Sequence, residues 1–117
     1  MAVKSYRELI AWQKGVDLAV AVYQATKCFP REELYGLTSQ VRRSAVSVPS
    51  NIAEGQGRGT PVDFQRFTRI SMGSLQEMET QIIIADKLAF APHEVLSHLL
   101  VDSDEVGRLI RGLERSL

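Results

Sequence analysis

Apolar residues recur at alternating spacings of three and four along four stretches of the chain, which is the period of an amphipathic α-helix. The first stretch carries two neighbouring apolar rows. One row consists of Leu9, Trp12, Val16, Ala19 and Tyr23, and the other of Leu18, Val22, Ala25 and Phe29. We therefore expect a helix that is apolar over more than one row, which suits a bundle interior or a contact between subunits.

The second stretch contains a proline within its apolar row, which is made of Leu34, Leu37, Val41, Ala45, Val48 and Ile52. Pro49 has no N–H to donate to the carbonyl of Ala45. Because the apolar spacing continues to Ile52, we predict a kink in this second helix rather than its end. Its end is predicted by the glycines that follow, Gly55, Gly57 and Gly59.

Two helix starts have their own sequence signals. Ser5 and Glu8 have the spacing of a capping box, which predicts the start of helix one, and Thr60 with Pro61 predicts the start of helix three. Helix three carries Phe64, Phe67, Ser71, Leu75, Met78, Ile82, Ala85 and Ala89, with Gly73 and Ser74 indicating a close helix crossing. Helix four carries Leu96, Leu99, Ser103, Val106, Ile110, Leu113 and Leu117.

The fold class follows from these four rows. No stretch alternates with a period of two, so we predict no sheet. Four helices of similar length with short connections predict an all-α protein, an antiparallel up-and-down four-helix bundle with a kinked second helix. A length of 117 residues fits one domain, and we expect residues 1–117 to form it.

Composition narrows the class of protein further. Fourteen basic and fourteen acidic side chains cancel, so the whole molecule has no general attraction for nucleic acid or anionic membranes. The single Cys28 cannot form an internal disulfide, and the first residues lack the apolar core of a secretory signal. No apolar run reaches the roughly 20 residues of a membrane helix. We therefore expect a cytoplasmic protein that does not enter membranes.

A polar stripe runs along helix two beside its apolar row and consists of Gln40, Arg43, Ser47, Asn51 and Glu54. One interpretation is a recognition surface. The other is a hydrogen-bonded network between helices or subunits, with Glu77 and Gln81 of helix three as candidate partners. We favour the structural interpretation, because polar groups near a core must find hydrogen-bond partners.

Five arginines make the middle of the chain mildly basic, namely Arg42, Arg43, Arg58, Arg66 and Arg69. With Glu54 and Asp63 they give residues 40–70 a net charge of +3. A patch of these side chains would contact phosphates, which is the sequence-independent part of nucleic-acid binding. The alternative is an ordinary solvated face with internal salt bridges, which we favour because the acids nearby weaken the field.

The sequence offers no recognisable catalytic or metal site. His93 and His98 are five residues apart and point to different sides of a helix, so one metal cannot bind both from one face. The glycine-rich segment 55–59 lacks the preceding strand and the Lys-Ser/Thr pair of a phosphate-binding loop. We find no nucleophile with a base. We therefore expect a protein that is not an enzyme, with no cofactor and no metal.

Several sequence strings resemble the four-helix-bundle family named after proteins encoded in intervening sequences of 23S ribosomal RNA. The resemblance covers residues 5–90 and rests on Tyr6–Leu9, Trp12–Gln13, Tyr35–Arg43, Ser47–Gly55 and Gly73–Gln81. It implies an up-and-down bundle that assembles as a ring-like homopentamer. A related protein of similar fold is the accessory protein of diversity-generating retroelements, which partners a reverse transcriptase and nucleic acid. That relative is strongly basic, whereas this chain is neutral.

Two functional hypotheses remain at this point. The first is a non-enzymatic, self-associating helical scaffold or adaptor with an unknown protein partner. The second is an accessory factor that binds RNA or DNA through the five arginines, with or without a reverse transcriptase. The two differ in salt-dependent binding to nucleic acid.

Overall fold

Four long α-helices with short connections make up the chain, and this computed structural model describes residues 5–117. The helices are α1 at Ile10–Ala25, α2 at Leu37–Gly57, α3 at Pro61–Lys87 and α4 at His93–Arg115. No β-strand occurs within the described residues, so the all-α prediction with four helices is confirmed. The absence of a secretory signal was inferred in part from residues 1–4, which lie outside the described residues.

Each long helix contacts two others, and α2 and α3 share the most extensive contact. The predicted rows of α2, α3 and α4 supply most of the core. Its largest fully buried side chains are Val22, Val41, Val48, Ile52, Leu75, Met78, Ile82, Leu96, Val106 and Ile110. The spacing of apolar residues therefore identified the buried faces of these three helices correctly.

The buried face of α1 takes residues from both predicted rows, because Leu9 and Ala19 of the first row are buried as well. Leu18 and Val22 of the second row are buried, whereas Tyr23 of the first row is 44% exposed and Trp12 and Val16 are only half-buried. The two rows are neighbours on one helix, and spacing alone does not tell which one meets the core. Small buried residues around the second row, among them Gly15, let α1 approach α2 closely there.

Some helix ends also differ from prediction. Ser5 caps only a 3-10 turn at Tyr6–Glu8, with its hydroxyl accepting from the Arg7 N–H at 3.1 Å. Leu9 is extended, so α1 begins at Ile10. By contrast, the predicted cap of α3 is confirmed, because the Thr60 hydroxyl accepts from the Asp63 N–H at 3.2 Å.

Two of the predicted apolar rows extend beyond the helices that form, into the connections next to them. Leu34 is 45% exposed and precedes α2, because a 3-10 turn at Arg31–Glu33 comes first. Ala89 lies beyond the end of α3, with a φ of 56° in the left-handed region. A helix does not continue through that backbone conformation, so the chain turns there towards α4.

Helix α2 continues through Pro49, as the apolar spacing predicted. Pro49 is buried against α1, where a Cβ added at Gly15 would lie 3.3 Å from the Pro49 Cβ. The kink at Pro49 stays a prediction.

Helices α2 and α3 approach each other closely at Gly55. A Cβ there would lie 2.6 Å from the Phe67 Cβ, so this glycine allows the approach rather than ending the helix. The predicted crossing at Gly73 and Ser74 is wrong for Gly73, because a Cβ added there would meet nothing within 4 Å, whereas the Ser74 hydroxyl does contact Ser47 of α2.

Candidate functional site

An apolar groove lies on the surface between α1 and α2, and we call it the α1–α2 groove. Its volume is about 530 Å³. Its lining residues are Tyr6, Trp12, Val16, Ala19, Val20, Tyr23, Gln24, Lys27, Val46, Pro49, Ser50 and Ala53. Three of them, Val20, Tyr23 and Val46, are 51%, 44% and 43% exposed, respectively. The groove therefore presents apolar side chains to solvent.

The two apolar rows of α1 explain this groove. Leu18 and Val22 face the core, which leaves the half-buried Trp12 and the exposed Tyr23 of the other row at the surface beside α2. The aromatic rings are held in place: Tyr6 packs edge-on against Trp12 at 5.1 Å between centroids. The guanidinium of Arg42 lies 4.8 Å from the centroid of the Tyr23 ring. The groove thus has ordered walls.

The polar stripe lies along the contact between α2 and α3. Ser47 is half-buried, and its hydroxyl is 2.8 Å from that of Ser74. Asn51 donates to the Ser47 carbonyl and hydroxyl at 2.8 and 2.9 Å. Glu54 lies at the exposed end of the stripe and accepts a 2.8 Å hydrogen bond from Arg58. Only Ser47 of these residues makes a side-chain hydrogen bond to another helix in the part of the chain described.

Two further serines beside the stripe connect the same helices. The Ser44 hydroxyl lies 2.8 Å from Oε1 of the buried Gln81, and the buried Ser71 donates to the Val48 carbonyl at 2.7 Å. Sequence reasoning proposed Gln81 as a partner but did not single out Ser44 or Ser71. Their positions could have indicated this role. Ser44 precedes Ala45 of the apolar row of α2, and Ser71 belongs to the apolar row of α3.

The other stripe residues face an open cleft. Gln40 and Arg43 line it from α2, and Glu77 and Gln81 line it from α3, around a volume of about 430 Å³. Gln40 and Arg43 are exposed. The stripe therefore divides into a hydrogen-bonded part at Ser47 and a solvated part at these two residues.

The structure brings together two of the five arginines. The guanidinium groups of Arg58 and Arg66 lie 5.0 and 5.1 Å from the centroid of the Phe67 ring. Each also has an acidic neighbour, Glu54 at 2.8 Å for Arg58 and Asp63 at 3.6 Å for Arg66. The hydrogen bond to Glu54 raises the pKa of the Arg58 guanidinium above its ordinary value.

The remaining three arginines occupy other places. Arg69 lies 3.5 Å from Glu114 of α4. Arg42 turns towards α1, where it donates to the Thr26 hydroxyl at 2.8 Å, and Arg43 lines the polar cleft. Sixteen residues of helix separate Arg42 from Arg58 along the chain, a rise of roughly 24 Å. The five guanidinium groups thus do not converge on one point.

A hydrogen-bonded Asp-His-Ser group lies where α3 meets α4. His93 Nδ1 is 2.9 and 2.8 Å from the two carboxylate oxygens of Asp86, and His93 Nε2 is 3.2 Å from the Ser97 hydroxyl. Sequence reasoning found no nucleophile with a base and missed this group. The available signal was the spacing of four between His93 and Ser97, which places both on one helical face.

Residues 5–117 also lack two further kinds of feature. In that part of the chain, no cluster of three or more His, Cys, Asp or Glu residues is arranged to hold a metal ion. No helix there combines the length and the apolar character that crossing a membrane requires.

The fold and its surfaces define an all-α protein of four packed helices with an open apolar groove. The chain belongs to the 23S rRNA-intervening sequence protein family, whose model matches residues 7–112. The family resemblance identified in the sequence is thereby confirmed.

A solved structure shares this fold. It is the crystal structure of a protein of unknown function from the S23 ribosomal protein family of Bacteroides thetaiotaomicron. The TM-score is 0.83 at 20% sequence identity, with 91% of this chain and 96% of that chain covered. No curated protein matches the sequence.

Proposed function

We propose that this protein is a non-enzymatic helical scaffold or adaptor that associates with copies of itself. In this proposal, residues 1–117 form one antiparallel up-and-down bundle, and five copies form a ring. The α1–α2 groove is the surface through which one copy contacts the next. We place the assembly in the cytoplasm, which a chain with a single cysteine supports, since it needs no internal disulfide.

The hydrogen bonds between α2 and α3 support the antiparallel arrangement. Ser44 pairs with Gln81, Ser47 with Ser74, and Val48 with Ser71. The residue numbers of the α3 partners fall as those of the α2 partners rise, as expected for two helices that run in opposite directions. Contacts between α3 and α4 run the same way, because Glu79 bonds Ser103 and Arg69 lies near Glu114.

The single observation that carries the proposal is the exposure of the apolar side chains of the α1–α2 groove. Val20 and Val46 are each close to half-exposed on neighbouring helices, with Tyr23 beside them. Contiguous apolar surface of this kind on a small protein marks a contact site, because covering it removes apolar area from water. Aromatic residues such as Trp12 and Tyr23 are also enriched at protein interfaces.

A second copy of the chain is the occupant that we propose for this groove. The chain is neutral overall, so copies have no net charge to keep them apart. A closed ring joins two different surfaces of each subunit, the groove of one copy and another face of the next. Several exposed apolar residues outside the groove are available for that second surface, among them Ile84 and Leu88.

Charged substitutions in the groove test the proposal. Val20→Glu and Val46→Glu each place a carboxylate in the proposed contact, where an unpaired buried charge costs several kcal/mol. We expect association to weaken at least about 100-fold for either variant. Sedimentation equilibrium over a range of concentrations measures this change, with circular dichroism to verify the helical fold.

Val101→Glu is the matched control. Val101 is 63% exposed on α4 and lies outside the groove, so the same substitution there introduces the same charge on a helix surface. Association that survives both groove substitutions in folded protein contradicts the proposed surface. Association lost only in Val101→Glu would place the contact on α4 instead.

Binding of RNA or DNA is the second candidate function. The observation that favours it is the pair of arginines beside Phe67, Arg58 and Arg66, with Arg69 further along α3. Guanidinium groups placed close together can neutralise neighbouring phosphates, whereas the Phe67 ring beneath them is buried. The carboxylates near these three arginines weaken their attraction for phosphates.

Salt-dependent retention on RNA or DNA separates the two candidates. If the arginines bind phosphates, the protein is retained at low salt, and replacing Arg66 and Arg69 by Ala removes that retention. The Val20→Glu variant is expected to lose self-association without losing direct phosphate contacts. Absence of binding at low salt rules out the nucleic-acid function and leaves the scaffold proposal unaffected.

A further inference from the structure

The Asp86-His93-Ser97 group joins the last turn of α3 to the first turns of α4. His93 is the first residue of α4, and Ser97 lies one turn later on the same face. Asp86 holds the imidazole from α3 with both carboxylate oxygens within 2.9 Å of Nδ1. The imidazole is therefore fixed between two helices, with its second nitrogen 3.2 Å from the Ser97 hydroxyl.

The chemistry of the three groups determines where the protons lie. An ionised carboxylate only accepts hydrogen bonds, so the Nδ1 atom of His93 must carry a hydrogen to bond Asp86. In a neutral imidazole the Nε2 atom then has a free lone pair. The Ser97 hydroxyl donates to that lone pair. This is the arrangement in which a histidine takes a proton from a serine that attacks a carbonyl carbon.

The group is open to solvent and to small molecules. The side chain of His93 is 79% exposed and Ser97 is half-buried. None of the cavities described above is lined by these residues, so the protein provides no enclosed binding site for a substrate there. A compound that reacts with this group must therefore already be chemically activated, because no enclosed site would bind and orient it.

We propose that Ser97 is a histidine-activated nucleophile that accepts an acyl group from activated acyl donors such as thioesters and aryl esters. The Ser97 oxygen attacks the carbonyl carbon of the donor while His93 Nε2 takes the hydroxyl proton. The carbon–sulfur or carbon–oxygen bond to the leaving group then breaks, and the leaving thiolate or phenolate receives the proton. An ester on Ser97 and a free thiol or phenol result.

The acyl group remains on the protein long enough to be observed. An ordinary alkyl ester is a poorer acyl donor than the thioester or aryl ester that formed it. No enclosed site holds a second substrate next to it. The reaction is a modification of the scaffold on α4, remote in sequence from the α1–α2 groove, and it does not depend on self-association.

The chain contains its own control for this proposal. His98 is 77% exposed, similar to His93, and also has an aspartate nearby, with Nε2 3.8 Å from Asp102. Among the described residues, however, no serine lies within hydrogen-bond distance of its ring. If the reaction depends on the hydrogen-bonded group, only substitution of His93 will slow it. If any exposed imidazole is sufficient, substitutions of His93 and His98 will have similar effects.

The experiment uses p-nitrophenyl acetate as the donor and the folded full-length chain. Release of p-nitrophenol gives the rate, and peptide mass mapping locates the acetyl group, separating Ser97 from Cys28 and the lysines. We expect acetylation of Ser97 in the wild type and in His98→Gln. In His93→Gln the rate at Ser97 should fall by about 100-fold, the lower end of general-base effects.

Two more variants complete the test. Ser97→Ala should lose the label on that peptide and no other. In Asp86→Asn the amide can donate to Nδ1 and leave the hydrogen on Nε2, so labelling should slow while the protein stays folded by circular dichroism. Equal labelling of Ser97 in His93→Gln and wild type, or labelling of other exposed serines at the rate of Ser97, overturns the proposal and leaves the group as a connection between helices.

Discussion

Gly55 shows how one missing side chain sets the distance between two helices. It lies on α2 directly against α3, where a Cβ would come within 2.6 Å of the Phe67 Cβ and 3.1 Å of the Phe64 ring. A Cβ atom is attached to the backbone and cannot rotate away, so relief requires the helices to separate. Phe67 and its neighbours in the core would then lose contacts.

We predict that Gly55→Ala lowers the free energy of unfolding by about 1–3 kcal/mol, the usual cost of overpacking a core. Gly57 is the matched control, because a Cβ there would meet nothing within 4 Å. Gly57→Ala should leave stability unchanged or raise it slightly, since alanine favours a helix. Urea unfolding followed by circular dichroism measures both, and equal stability of the two variants would contradict this account of Gly55.

The sequence also shows its limits at single residues. The string around Gly55 identified the family, but Gly55 was interpreted together with Gly57 and Gly59 as the end of α2. The helix in fact runs on to Gly57, and Gly55 is buried at the crossing. The sequence does not distinguish a glycine that ends a helix from one that makes room for a neighbouring helix. The position of Phe67 opposite Gly55 is known only from the tertiary structure.

At the scale of elements, α2 connects the two candidate regions of the molecule. One side of it, with Val46 and Pro49, completes the apolar groove with α1, and another, with Ser44 and Ser47, bonds α3. The polar stripe has two parts with different surroundings. Ser47 and Asn51 take part in hydrogen bonds at the seam, whereas Glu54 pairs with Arg58 in solvent.

We predict that Ser47→Ala destabilises the protein by about 1 kcal/mol, because it removes the bond to Ser74 and a hydrogen-bond acceptor of Asn51. Glu54→Ala should change stability little, since exposed ion pairs contribute little. Thermal unfolding of both variants against wild type is the measurement. A larger loss in Glu54→Ala would mean that the stripe acts at its exposed end.

Apolar spacing predicted α2, α3 and α4 well because each has one dominant row, and that row is largely buried except at its ends, where Leu34, Ala89 and Leu117 are exposed. It did not predict α1 as well, because two adjacent rows compete and only packing decides between them. The groove arises from that competition. The sequence had indicated a helix suited to a subunit contact, but the partner wall on α2 depends on which row of α1 turns inward.

The Asp86-His93-Ser97 group was harder to predict for a related reason. Ser97 and His93 share one helix, so their proximity follows from a spacing of four. Asp86 belongs to the preceding helix, and its position depends on the turn at Ala89. Sequence order alone gives no distance across such a turn.

At the scale of the whole molecule, the arginines and the exposed apolar surface favour different kinds of partner, nucleic acid and protein respectively. Three of the five central arginines lie close to carboxylates, which limits the attraction for nucleic acid. The α1–α2 groove, in contrast, keeps apolar side chains exposed in the isolated chain. We therefore propose self-association as the main interaction, with any contact of the arginines with nucleic acid as the second candidate.

The mass of the wild-type protein in solution tests the central claim most directly. One chain has a mass of 13.0 kDa, so a ring of five copies has a mass of about 65 kDa. Native mass spectrometry together with light scattering on a sizing column at micromolar concentration distinguishes this assembly from smaller ones. We predict a single species of five chains. A 13.0-kDa monomer at micromolar concentration would contradict the self-associating scaffold.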